Sequence, residues 1–66
     1  MEAIVRFQVF CIEQYKNAHH MRGNEAYQLF EKYGVMAYLS EFYDVLHSFG
    51  AEYLVQEIDL FVEARQ

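Results

Sequence analysis

The chain has 66 residues, 55% of them hydrophobic, with six Phe, six Tyr and a formal net charge of −5. A chain of this length buries only about 60% of the surface its unfolded form exposes, which excludes an enclosed substrate cavity and points to one domain over residues 1–66. Its acidity excludes DNA or RNA as a direct ligand, because phosphate binding needs a basic stripe that displaces counterions.

In chain order, residues 2–17 are expected to form the first helix, with Ile4, Val5, Phe7, Cys11, Ile12 and Tyr15 on one broad face at 100° per residue. Gln8 falls inside that face and needs a hydrogen-bond partner if buried. Val9 and Phe10 fall on the polar side, and Phe10 is large enough to favour a contact. The only cysteine is Cys11, which excludes an internal disulfide and a Cys-based zinc site. A short secreted chain usually needs such staples, so a reducing cytoplasm is expected. No signal-peptide pattern opens the chain, and the longest apolar run, "VFCI", is far short of the roughly 18 residues that cross a bilayer. On the apolar face Cys11 reads as a small hydrophobe, with no base nearby to make a thiolate.

"AHHMRGN" breaks the pattern, and Asn24 is a reasonable N-cap for a second helix over 24–33 with Ala26, Tyr27, Phe30 and Tyr33 toward the core. The His19–His20 pair in the break reads as solvated, since adjacent residues do not face the same way. Gly34 ends the second helix. The third is expected over 35–48, where Val35, Tyr38, Leu39, Phe42, Leu46 and Phe49 repeat at i, i+3, i+4, i+7. Gly50 stops it, and a fourth helix over 51–64 puts Leu54, Val55, Ile58, Phe61 and Val62 in a core stripe. "EYLVQEIDLFV" alternates too poorly for a strand and has no second strand to pair with. The fold class is therefore all-α, a small bundle of four short helices.

The charge is uneven. Residues 1–33 hold four acids and four bases, whereas residues 34–66 hold six acids (Glu41, Asp44, Glu52, Glu57, Asp59, Glu63) against Arg65 alone, so the second half carries the full −5. Within it, Tyr53 and Leu60 stand two turns apart on the acidic side of the last helix, beside Glu57. That spacing resembles the anchors of a helix that docks on a partner. Ordinary domains are about 45–50% apolar even when glycine is counted, so the apolar excess suggests burial against another chain. A basic protein surface is the matching partner.

Asp44 and His47 lie one turn apart and invite a chemical reading. Acid–base catalysis would also need a nucleophile or bound substrate and a group to orient the imidazole; Glu41 adds an acid but no nucleophile. A metal site on Glu41, Asp44 and His47, with His19 or His20 approaching, matches no tight ligand spacing. The simpler account places His47 at a helix end, where its N–H suits the exposed carbonyls. No phosphate loop, nucleophile elbow or Cys/His finger occurs, so no catalytic residue and no cofactor is expected.

"FCIEQY", "YQLFEKYGVMAYLSEFYDVLHSFG" and "EYLVQEIDLFV" resemble a family of short bacterial proteins that carries a domain-of-unknown-function label and is typified by a Tyr-Asp-x-Leu-His-x-x-Gly segment, here Tyr43, Asp44, Leu46, His47 and Gly50. Tyr53, Ile58 and Asp59 extend the likeness, which covers nearly the whole chain. The resemblance implies genes often found beside those of ADP-ribosyltransferase-like proteins. The expected function is then a non-catalytic cytosolic protein-binding module, antitoxin-like or an accessory subunit, docking through Phe10, Tyr53, Glu57 and Leu60. The alternatives are a structural homo-oligomer that buries the same apolar excess between identical chains, and a small metal-binding protein using Glu41, Asp44 and His47.

Overall fold

The computed structural model describes residues 2–66; Met1, the first residue of the expected domain, lies outside them. Every regular element among the described residues is a helix: α1 (Ala3–His19), α2 (Gly23–Lys32), α3 (Val35–Glu41), α4 (Tyr43–Leu46) and α5 (Ala51–Arg65). The chain is all-α, as its periodicity requires.

The core is built from residues four apart. Phe7, Cys11 and Tyr15 of α1, Ala26 and Phe30 of α2, Val35 and Leu39 of α3, and Leu54, Ile58 and Val62 of α5 are all buried, and Leu46 of α4 joins them. Rows spaced by four are the ridges that interlock when helices pack. Phe30, Leu39 and Val35 are fully enclosed, and each such side chain contributes roughly 1.5–3 kcal/mol by leaving water. Around them the rings meet edge-on: Phe7 against Tyr43 with centroids 5.4 Å apart, and Tyr15 against Phe30 at 5.3 Å. Gln8, set among the apolar positions of α1, donates from Nε2 to the Met36 carbonyl at 2.9 Å and so ties α1 to α3.

The expected third helix is two. The chain bends at Phe42, whose φ of −107° and ψ of 24° leave the helical region between α3 and α4. The bend carries Leu46 into the core and Tyr43 against Phe7, and it turns Phe42, expected in the core, out to 48% exposure. Phe49, also expected in the core, is half-buried with its ring against Tyr53 at 4.6 Å.

Other boundaries shift for local reasons. α1 runs two residues past the expected end and closes on His20 in the left-handed conformation (φ 55°), with the Met21 amide donating to the Lys16 carbonyl at 3.0 Å. α2 begins at Gly23 and is capped by Arg22, not Asn24, because the Glu25 carboxylate turns back to accept the Arg22 amide at 2.9 Å. Gly34 takes φ 74° between α2 and α3, a conformation that favours glycine. Tyr27, Ile4 and Val5 are exposed instead of facing the core, because they lie off the buried rows of Phe7, Cys11 and Tyr15 in α1 and of Ala26 and Phe30 in α2.

Candidate functional site

The inward row of α5 is Leu54, Ile58 and Val62, which leaves Tyr53 at 48% and Leu60 at 60% exposure on the opposite side. Glu57 lies one turn after Tyr53 and is half-buried. Its carboxylate holds the Tyr53 hydroxyl above the usual phenol range by unfavourable charge and by hydrogen bonding. The Tyr38 hydroxyl of α3 is also raised, first by burial and then by Glu57. Tyr53, Glu57 and Leu60 thus share the outward side of α5. Phe10 is exposed at 43% on α1, and no ring contact joins it to that surface among the described residues.

A groove of about 240 Å³ lies between α3 and the C-terminal half of α5. Its walls include Tyr33, Tyr38, Phe42 and Phe61, with Glu41 and Arg65 as its charged groups. Tyr38 stacks on Phe61 with centroids 4.2 Å apart and planes 23° apart, and Phe42 lies 5.5 Å from Tyr38. The Arg65 guanidinium carbon sits 3.5 Å from the centre of the Phe61 ring, while Nη1 donates to the Phe61 carbonyl at 3.3 Å. Periodicity placed Phe42 in the core and Phe61 in an inward stripe, so it gave no sign of this aromatic wall. The one available signal was the crowding of aromatics at 33, 38, 42 and 61. A second groove of about 430 Å³ lies between α1 and α5 over Ala18, Ala51 and Val55, rimmed by Gln14, Asn17, Glu52 and Gln56.

Asp44 and His47 do not pair. The His47 Nδ1–H donates to the Tyr43 carbonyl at 2.7 Å, and its ring lies flat on Tyr43 at 4.3 Å with planes 11° apart. That is the donor a short helix needs over its open carbonyls. Glu41, at the end of α3, lines the groove beside α5, and neither Asp44 nor His47 does. Among the described residues no group of three His, Cys, Asp or Glu side chains is placed to hold a metal ion.

The polar cluster that does form involves different residues. Tyr15 Oη donates to Asp59 Oδ1 at 2.9 Å, and His19 Nε2 approaches the same oxygen at 3.0 Å. Its histidine lies at the end of α1, and Asp59 lies 40 residues further on. Burial, followed by the Asp59 hydrogen bond, raises the Tyr15 hydroxyl. Cys11, 1% exposed, has its thiol pushed up to about 12 by burial, which leaves no thiolate for nucleophilic chemistry near neutral pH.

The fold and its exposed chemistry define a small all-helical domain that carries an acidic, aromatic surface over one side of α3 and α5. Within that class the chain belongs to the DUF3791 family, described as a protein of unknown function, whose family model matches residues 6–65. No curated protein and no solved structure gives a significant match. No helix among the described residues is long and apolar enough to cross a membrane.

Proposed function

We propose that the protein is a non-catalytic binding module that docks on a protein partner with a basic surface, through Tyr53, Glu57 and Leu60 of α5. The observation that carries this reading is the exposure of a large aromatic and a large aliphatic side chain on a helix that holds four acids against Arg65. Exposed Tyr53 and Leu60 supply apolar area, and an aromatic anchor of this kind contributes much of the affinity at interfaces. Glu52, Glu57 and Glu63 surround them with negative charge, which steers a basic partner and fixes its register. Phe10 is a further exposed anchor on α1.

The Tyr43, Asp44, Leu46, His47 and Gly50 segment resembles proteins encoded beside ADP-ribosyltransferase-like proteins, which makes such a protein the first partner to test. Acting on it in the cytosol, the domain serves as an antitoxin-like inhibitor or an accessory subunit. The experiment is capture of the neighbouring gene product by wild-type protein and by the Tyr53→Ala/Leu60→Ala double variant. Capture should fall at least tenfold while the helical signal and melting temperature stay close to wild type. Undiminished capture by the double variant assigns the docking surface elsewhere.

A second reading rests on α1, where Val5 at 51% and Val9 at 53% exposure stand one turn apart beside Ile4. Two copies joined through this face would bury it. Light scattering separates the readings, and a monomer at high micromolar concentration removes the homo-oligomer.

A further inference from the structure

We propose that the aromatic groove between α3 and α5 is a binding site for a guanidinium group, an arginine side chain presented by the docked partner. Phe61 and Tyr38 form its stacking wall and Glu41 its counter-charge. The proposal rests on the docking reading for the source of the arginine, and on the groove alone for the chemistry of the site.

Three observations carry it. The first is size. At about 240 Å³ the groove is below the range that holds a cofactor or a metabolite, and it suits one side chain. The second is the wall. Tyr38 and Phe61 are stacked at 4.2 Å and Phe42 lies 5.5 Å from Tyr38, so the negative ring face that a cation can take is the one of Phe61 that Arg65 now covers. The third is that a guanidinium is already there. Arg65 lies 3.5 Å over Phe61, tethered from the last turn of α5. The chain's own arginine thus occupies part of the site and shows which cation its geometry accepts.

The charge balance suits the exchange of one cation for another, because Glu41 and Arg65 are the charged groups of the groove. Glu41 lines the groove and makes no ion pair among the described residues. A guanidinium suits such a site better than an ammonium, because its plane stacks on a ring while its fork meets a carboxylate with two hydrogen bonds. Arg65 then works as an internal competitor, and its departure opens the Phe61 face to the incoming group.

The test uses the full chain and a small probe, N-acetyl-arginine methylamide, with the uncharged citrulline analogue and the trimethyl-lysine analogue as comparisons. Ring and amide resonances are followed by NMR during titration. The arginine probe should shift Tyr38, Phe42 and Phe61, and the citrulline probe should not. Arg65→Ala should tighten arginine binding about threefold to tenfold by removing the competitor, and Glu41→Gln should weaken it about tenfold. Both replaced residues are exposed, and the comparison of probes on the wild-type chain needs no variant. Equal shifts with arginine and citrulline, shifts that map outside the groove, or no tightening in Arg65→Ala would each overturn the proposal. Stronger binding of the trimethyl-lysine probe would overturn the assignment to guanidinium. The Tyr53→Ala/Leu60→Ala variant should bind the arginine probe as wild type does. If partner capture ignores that double change while the probe still binds the groove, the docking reading fails and the site stands.

Discussion

Tyr15 and Asp59 are 44 positions apart in sequence and 2.9 Å apart in space, with the phenol donating to the carboxylate. Tyr15 is buried and Asp59 half-buried, and His19 closes on the same oxygen at 3.0 Å. The pair fastens the C-terminal end of α1 to the middle of α5. It also explains why a polar residue is accepted beside the inward row of α5: the ring of Tyr15 packs in the core while its hydroxyl needs an acceptor.

Asp59→Ala should therefore destabilise the fold by about 1–3 kcal/mol, because it leaves the Tyr15 hydroxyl buried without a partner. Tyr15→Phe removes the donor and the need together and should cost only about 1 kcal/mol. In urea melts the double variant should lose less than the sum of the singles, by more than about 0.5 kcal/mol. Additive losses would mean that the hydrogen bond contributes nothing.

The buried thiol and phenol make the fold sensitive to alkali. Cys11 rises from 9.0 to about 12 on folding, and Tyr15 rises above 10.0. In this window the unfolded chain sheds protons that the folded chain keeps, so stability is full below pH 9 and falls as pH climbs toward 12. The loss per group approaches about 1.4 kcal/mol for each pH unit. Cys11→Ala should be less stable at pH 7 through its cavity, yet show a shallower fall of urea midpoint between pH 9 and 10. An unchanged slope in that interval would show that Cys11 is not the sensitive group.

Two left-handed residues give opposite expectations. His20 holds φ 55° at the end of α1 with a side chain that disfavours it, so His20→Gly should raise stability by about 0.5–1 kcal/mol. Gly34 holds φ 74°, and an added Cβ would meet nothing within 4 Å. Gly34→Ala should therefore cost about 1 kcal/mol through the backbone alone. For a chain of this size such changes move the melting temperature by roughly 4–8 °C per kcal/mol, and a thermal scan of the two variants reads both signs.

Much of this architecture is written locally in the chain. The all-helical class, the position of Gly34 between helices and the inward rows of α1 and α5 follow from spacing, because each depends on residues within a turn or two. The unmatched requirement of Gln8 was also legible, and Met36 meets it. Phe42 was not. It belongs with Leu39 and Leu46 by the i, i+3, i+7 rule, and no proline or glycine marks a break between them. The bend arises from tertiary packing, as Tyr43 meets Phe7 and Leu46 enters the core, and a periodic pattern carries no record of that. The groove was hidden for the same reason, since its wall needs rings 23 residues apart, such as Tyr38 and Phe61. Asp44 and His47 show the converse: their spacing is helical, but a backbone carbonyl one turn away is the better acceptor for the imidazole.

The bend at Phe42 has a bearing on how intactness should be judged. Because the break comes from neighbours and not from any local breaker, a chain that keeps its helices but loosens its core is free to straighten across residue 42. The ring that flanks Tyr38 would then swing away while the backbone hydrogen bonds survive. Helical content and recognition surface are separable quantities in this molecule. A circular dichroism spectrum of native intensity certifies the first and says nothing of the second, so the signals of the aromatic rings are the better gauge of a competent preparation.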